Sequence, residues 1–464
     1  MAEVCVIGAG PAGCVFAGRM AQMGHQVRVI EHVRFPRPRL GESLSPGVEP
    51  LLAAAGFRGT LEACAITRVR NVLVKWPDGP RSREDPGAQG FIVDRGEFDS
   101  SLLERARALG ARVLQPARLV DRSHSGARWR LTVDAEGREE TFEVDLLADA
   151  SGRASVRRSE RTGAPTLAIY AYWRAARAPT QPRIEAGNDT WFWGVPLPSR
   201  LYNTLAFVDP KLFRASPGAL AERFLELIAR SGLLADCDGP ELIGPVRAID
   251  ATPYLLTDCI DANSIRLGDA ALTIDPISSS GVQKAIQSAL AGAIVANTLL
   301  RRPEATNAAV RFYCAHLSEA SKRHQIWAAE HYRAVAEASG ARFWTDRANG
   351  CETAGEPAAL KSVDAQAMAG TPVELSRDAA FIETPCLRGD FVGTAPALHH
   401  PRLPAPVAFL EGFELAALLR DLPKGRTPWQ IARSWANRVP LDSGLAIAGW
   451  LVTRGVLVRS ASPD

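Results

Sequence analysis

The residue types best placed to do chemistry at the start of the chain are the glycines of Gly8-Ala9-Gly10-Pro11-Ala12-Gly13, which close the apolar run of residues 2–7 and open a helical stretch reaching Met20. In such a loop the first glycine permits a tight turn. The second lets backbone approach a pyrophosphate, and the third allows close packing of helix on strand. The phosphates then meet a helix N-terminus, where free N–H groups and the dipole favour anions. A second strand, residues 26–30, ends at Glu31, an acid placed to bind ribose hydroxyls. The chemistry implied is the binding of a dinucleotide.

The rest of the chain offers few groups with the spacing of acid/base or metal chemistry. The eight cysteines, Cys5, Cys14, Cys64, Cys237, Cys259, Cys314, Cys351 and Cys386, show neither CxxC nor Cys/His ligand spacing, so buried free thiols are expected rather than zinc or a redox dithiol. His399 and His400 are adjacent, which points them to different faces, and no residue at ligand spacing accompanies them; no metal is expected. Asp94, Asp99 and Asp149 suit helix N-terminal charge and turn chemistry better than acid catalysis. No general acid is legible.

The elements that must position these residues follow from periodicity. Strand, glycine loop, helix and second strand make a βαβ unit, residues 94–109 read as a helix, and residues 110–114, 128–133 and 143–148 read as strands that complete or flank its sheet. From about residue 165 to 258, alternating runs such as 167–173, 191–195 and 202–208 predict an antiparallel platform. Strand and helix return at 264–300, and a long helical pattern runs from Glu304 to about Ala338. The expected fold class is therefore α/β (α+β overall). A discontinuous nucleotide-binding domain comprises 1–164 and 259–345, with 60–95 lending strands to the platform, and 165–258 form a substrate domain. Residues 346–464 read as a linker plus a small helical domain. Within it, 350–404 are expected to be loop with short helices, and helical patterns follow at 411–421, 429–436 and 443–454.

Val93-Asp94-Arg95 through Phe98-Asp99 and Leu102, with Asp145-Leu-Leu-Ala-Asp149-Ala-Ser-Gly-Arg-Ala-Ser-Val-Arg157, resemble the paired signatures of p-hydroxybenzoate-hydroxylase-type flavoproteins. Ile265-Arg-Leu-Gly268-Asp269-Ala270, followed by Asp275-Pro276 and Gly281, resembles the second FAD motif of that family. The resemblance implies a Rossmann-type FAD-binding domain, with FAD held by Gly8, Gly10, Pro11, Ala12, Gly13, Glu31, Arg39, Ser43, Arg95, Asp269, Pro276, Ser280, Gly281 and Val282. In that family the Asp matching Asp269 binds the ribityl chain, and the glycine-led helix points its N-terminus at the flavin ring. A dipole there favours the anionic reduced flavin.

Pro38-Arg39-Leu-Gly41-Glu42-Ser43-Leu44 and Trp191-Phe-Trp193-Gly-Val195-Pro196 resemble features of the flavin-dependent halogenase branch, with Val195 where Ile is usual. Phe312-Tyr313, Tyr332 and Phe343-Trp344 with Arg347 resemble its aromatic helix. Halogenation in that branch uses a lysine near the flavin. The chain has six lysines, and Lys75, in Arg70-Asn-Val-Leu-Val-Lys75-Trp76, is the one in the matching region, although its small and aromatic context is not reproduced. Lys75, Trp191 and Trp193 are the substrate-pocket candidates. Ser278-Ser279-Ser280-Gly281-Val-Gln283-Lys284 with the Gly41-Glu-Ser43 box most resembles the flavoprotein monooxygenases of tryptophylquinone cofactor biogenesis. Residues 412–422, 426–432 and 450–458 resemble a winged-helix module.

The expectation is thus an FAD-dependent monooxygenase acting on an electron-rich aromatic ring, a Trp residue of a small partner subunit or peptide in the biogenesis of cysteine tryptophylquinone in quinohemoprotein amine dehydrogenase. A halogenase of tryptophan, a pyrrole or a phenol is the alternative, and a non-catalytic flavin-bound maturation chaperone a third reading. No second GxGxxG is present, so electrons would come from NAD(P)H visiting the site or from an external flavin reductase. Composition bounds partners: 54 basic against 51 acidic residues give +3 with no clustered basic tract, and nucleic acid is not an expected partner. No run of 18 apolar residues predicts a membrane span, and a first strand starting almost at Met1 leaves no room for a signal peptide, so the cytoplasm is expected.

Overall fold

The computed structural model describes residues 1–460 apart from 38, 65, 77–78, 85–88, 127, 156–159, 198–200, 216, 350–369, 421 and 424. Pro38, Arg157 and Cys351, named above, lie outside the described residues. The chain divides into two units, Met1–Cys351 and Glu352–Asp464.

In the first unit a five-stranded parallel sheet runs in the order Ser264–Arg266, Leu146–Asp149, Glu3–Ile7, Gln26–Ile30, Arg112–Leu114. Its central strands bury Val4, Cys5, Val6, Val27, Val29 and Leu147, because helices cover such a sheet on its faces and leave no side of a central strand to water. The chain leaves this sheet after Asp149 and rejoins it at Ser264. The intervening residues, with the earlier strands Asn71–Trp76 and Gly79–Glu84, build a seven-stranded sheet. Its order is Glu241–Asp250, Leu167–Arg174, Leu201–Val208, Thr190–Pro196, Arg183–Ala186, Asn71–Trp76, Gly79–Glu84. Neighbours pair antiparallel except Arg183–Ala186 with Asn71–Trp76. Residues 128–135 and 138–144 join Ala117–Ser125 in a separate antiparallel sheet rather than in the parallel one.

Strand alternation gives the large sheet two cores. On one face Trp76, Tyr170, Trp191, Leu205 and Phe207 meet Tyr332, Phe343 and Trp344 from the helices Thr306–Ser339 and Arg342–Asn349. On the other, Ile169, Trp173, Phe192 and Tyr202 meet Phe213, Phe224 and Ile228 from Pro210–Ala215 and Leu220–Ala229. The aromatic face is pinned at Trp344, fully buried, edge-on to Trp76 at 5.9 Å and donating Nε1–H to the carbonyls of Gly187 and Asn188.

The second unit packs the helices Leu415–Leu419, Pro428–Ser434 and Leu441–Thr453 around Ile431, Ile447 and Leu451. The expectation of loop across 350–404 is corrected in part. Val373–Leu375 pairs with Leu457–Arg459, and Ala380–Arg388 forms a hairpin with Phe391–His399. Pro385, Gly393 and Pro396 hide these strands from a propensity reading, yet a two-stranded ribbon tolerates Pro because half of its backbone N–H groups face outward. The helix expected at 411–421 is shorter, since Phe413–Glu414 is a strand paired with Phe409–Leu410.

Trp344→Ala is expected to lower stability by about 3–5 kcal/mol in chemical denaturation, the cost of deleting a buried indole. Trp429→Ala, at a position 47% exposed, should stay within about 0.5 kcal/mol. Equal losses would show that the aromatic face is not a close-packed core.

Candidate flavin and substrate site

At the carboxyl ends of the parallel strands the backbone itself forms a cradle. Gly8 has φ +95°, and its N–H donates to the Ile30 carbonyl at 2.8 Å. A Cβ on Gly13 would collide with the Gly8 carbonyl oxygen, whereas one on Gly10 would meet nothing within 4 Å. The loop is thus closed behind Gly13 and open beyond Gly10, where the helix Pro11–Gln22 begins with Pro11 in its first turn and Ala12 buried. Glu31 is 1% exposed and accepts from Ala9 N at 2.9 Å, Val33 N at 3.0 Å and Arg37 Nη1 at 2.9 Å. Its carboxylate therefore fixes the loop from below as well as ending the second strand.

Basic side chains converge on this cradle. Burial, then the neighbouring Arg37 and Arg95, push the Arg39 guanidinium below its ordinary pKa, and Arg37 Nε is buried without a hydrogen-bond partner. Crowded guanidiniums with an orphaned N–H fit a bound diphosphate, which would relieve both. Arg95 is fixed by Asp99 at 2.9 Å and donates to the carbonyls of Leu40 and Gly41. That clamp holds the 40–44 segment, where Ser43 pairs with Ile92. Asp94 caps the helix Arg95–Ala108, and Asp149 accepts from Ser151 N and Oγ, the capping and turn roles expected of them.

The return strand supplies the other wall. Asp269 takes Lys284 Nζ at 2.7 Å and lies 3.5 Å from Arg153. Burial alone would raise its carboxyl, but Lys284, Arg153 and Arg39 together hold it below the ordinary carboxylate value. Lys284, 2% exposed, also donates to the Leu272 carbonyl, and burial pulls its pKa down against the pull of Asp269. Pro276 opens a short turn capped by Asp275, and Ser280 precedes the 21-residue helix Gly281–Arg301, whose first turn holds Gly281 and Val282 and no acid. A Cβ on Gly281 would meet nothing within 4 Å, so that helix end is also open to a flat ring.

The three substrate candidates are not brought together. Trp191 is 2% exposed and stacked on Phe207 at 3.7 Å, so it packs the sheet rather than presenting its ring. Trp193 is half-buried on the same face. Lys75 alternates with Val74 and Trp76, so its side chain leaves by the opposite face, 58% exposed and 3.9 Å from Glu185. None of the three lines a small cleft bounded by Gly163, Pro253, Asp275, His324, Tyr332 and Arg347 among others. Tyr332 donates to Asp275 at 2.7 Å beside Arg347, and burial pushes His324 down to about 4, so its imidazole is neutral.

Sequence reasoning missed Arg37, Lys284 and above all Glu42. Glu42 is 5% exposed and accepts from Tyr172 Oη at 2.8 Å, Gly41 N at 3.0 Å and, more loosely, Asn203 Nδ2. Burial pushes its carboxyl up, against the Tyr172 hydrogen bond. Tyr172 in turn borders the aromatic cluster of Trp191 and Trp344. A carboxylate between glycine and serine carries no periodic signal; only the Arg39-to-Leu44 resemblance marked the segment.

Arg37→Met should weaken FAD binding at least about tenfold in a fluorescence titration, with a smaller salt dependence, since a cation held beside the glycine cradle by Glu31 is gone. Unchanged affinity would remove Arg37 from the phosphate site.

The model of the tryptophan halogenase family matches residues 52–384. A tryptophan 2-halogenase of Chondromyces crocatus is 28% identical over 338 residues, 67% of this chain and 64% of that protein, so the chain spans just under two thirds of that relative. A 1H-pyrrole-2-carbonyl-[peptidyl-carrier protein] chlorinase of Pseudomonas fluorescens is 26% identical over 62% of this chain and 74% of its own. Among solved structures, the peptidyl tryptophan dihydroxylase QhpG, essential for tryptophylquinone cofactor biogenesis, superposes with TM-score 0.77 at 25% identity, covering 98% of this chain and 99% of its own. The flavin-dependent halogenase CmlS has the same fold, with TM-score 0.78 at 21% identity over 99% and 96%. With a family match over most of its length, joined to a glycine cradle whose backbone is open beyond Gly10, the chain belongs to the tryptophan halogenase family.

Proposed function

We propose that this protein is an FAD-dependent monooxygenase that hydroxylates a Trp residue of a partner polypeptide during tryptophylquinone biogenesis. The observation that carries the choice over halogenation is Lys75, whose amine leaves by the face of the sheet opposite the aromatic wall. The other described lysines do not replace it: Lys211 and Lys322 are exposed, and Lys284 is held by Asp269. Likeness to the peptidyl tryptophan dihydroxylase over 98% of this chain supports the same reading. The halogenase reading, on tryptophan, a pyrrole or a phenol, keeps its own support in the sequence relatives, which are halogenases.

Bound FAD, reduced by NAD(P)H or by a separate reductase, supplies activated oxygen to an electron-rich ring. The chain's own tasks are to grip the cofactor, exclude water and remove the proton that the ring loses on substitution. Glycine loop, arginines and Asp269 do the first, and the packed aromatic face does the second. For the third, Glu42 and Tyr172 form a relay. A ring proton passes to Tyr172 Oη as the Tyr172 proton moves along its 2.8 Å hydrogen bond to Glu42. A carboxylate short of solvation is the stronger base.

Incubation with reductant, oxygen-18 gas and Trp-containing polypeptides is expected to add labelled oxygen to a Trp, read by mass spectrometry. A bromide-dependent halogen isotope pattern without oxygen gain would transfer the assignment to halogenation. Lys75→Ala should keep the hydroxylation rate. Because Glu42 is protonated below its raised pKa and cannot then accept a proton, the rate should fall on an acid limb above pH 4.5. Glu42→Gln should lose that limb and about 10²–10⁴ in rate while retaining FAD; a variant with the wild-type profile would exclude the relay.

A further inference from the structure

Cysteine spacing in the sequence gave no reason to expect a dithiol, but folding brings Cys259 and Cys314 together from 55 residues apart, with Sγ···Sγ 3.9 Å. Cys259 is 2% exposed, just before the edge strand Ser264–Arg266, and Cys314 lies half-buried on the helix Thr306–Ser339; both are free thiols. The segments that carry them are tied to one residue. Arg266 N donates to the Cys259 carbonyl at 2.8 Å, and Tyr313 Oη donates to the Arg266 carbonyl at 2.7 Å. A disulfide needs the sulfurs at about 2.05 Å, an approach of roughly 2 Å from their present separation.

The two thiols are not equivalent. Either sulfur can donate in this contact, and burial raises the pKa of Cys259, the more enclosed of the two. Cys314 is therefore the sulfur that an oxidant in solution reaches first and Cys259 the enclosed partner behind it, the division of labour between an attacking and a resolving cysteine.

We propose that Cys314 and Cys259 form an oxidation site for hydrogen peroxide, closing to an intramolecular disulfide. The Cys314 thiolate attacks one peroxide oxygen; an S–O bond forms, the O–O bond breaks, and hydroxide leaves and takes a proton as water. Cys314 is now a sulfenic acid, oxidised by two electrons. The Cys259 sulfur then attacks it, the S–S bond forms, and the S–O oxygen departs with the Cys259 proton as the second water. Two thiols and one peroxide give one disulfide and two waters. The product staples the long helix to the edge of the parallel sheet, and the same helix carries His324 and Tyr332 of the cleft. The site stands on its own geometry and does not depend on whether the aromatic product is hydroxylated or halogenated.

The test adds hydrogen peroxide in small molar excess to the FAD-loaded protein and follows each cysteine by peptide mapping under non-reducing conditions. Expected is a crosslinked pair of peptides containing Cys259 and Cys314, lighter by two hydrogens and restored by dithiothreitol. Cys314 should react at least about tenfold faster than Cys386, a half-buried free cysteine of the second unit. Cys259→Ser should leave Cys314 as a sulfenic acid that dimedone captures, and Cys314→Ser should leave Cys259 reduced. Earlier oxidation of another cysteine, or passage of Cys314 to sulfinic acid in the unsubstituted chain without a crosslink, overturns the proposal. Mapping the unsubstituted chain decides this even if a variant folds poorly.

Discussion

Three strand ends meet where no side chain fits. A Cβ on Gly8 would stand 2.6 Å from the Ala150 carbonyl oxygen, and one on Gly268 would stand 2.8 Å from the Ala12 Cβ. The first loop and the turn after Asp149 therefore pack backbone against backbone, and the return strand packs Gly268 against the Ala12 methyl. Those contacts set where the helices Pro11–Gln22 and Gly281–Arg301 begin, since Ala12 and Ala285 lie near their starts. The electrostatics follow from them: once side chains are excluded at the centre, the charged groups must stand around the rim, as Glu31, Arg37, Arg39, Arg153, Asp269 and Lys284 do.

The large sheet obeys a different constraint. Because successive side chains point to opposite faces, a residue's place in the alternation decides its role before its chemical type does. Trp76 and Lys75 are neighbours in sequence, yet one joins the aromatic face and the other leaves for solvent beside Glu185. Trp191 and Trp193 share a face, but the inner one is stacked on Phe207 and only the outer is half-exposed. Glu42 and Tyr172 join the two systems, since the carboxyl comes from the loop clamped by Arg95 and the phenol from the sheet.

Much of the cofactor half was legible because its signals are local. A glycine loop between strand and helix, an acid ending the next strand and Gly268-Asp269 before a long helix are each read within a dozen residues, and each constrains backbone that the cofactor must touch. The same locality made Asp94 and Asp149 readable as cap and turn. The hairpin Ala380–Arg388 with Phe391–His399 was not readable, because its prolines argue against strands until a ribbon with outward N–H groups accommodates them.

By itself the sequence determined an α/β chain built around FAD, since turn geometry, phosphate contact and helix starts are written in adjacent residues. Tertiary structure alone decided which groups share a site: Arg37 beside Arg39, Glu42 beneath Tyr172, Lys284 on Asp269, Cys259 against Cys314, and Lys75 turned away from them all. The reason is physical. Burial and electrostatic coupling depend on distances between segments far apart in the chain, and those distances exist only once the two sheets have packed.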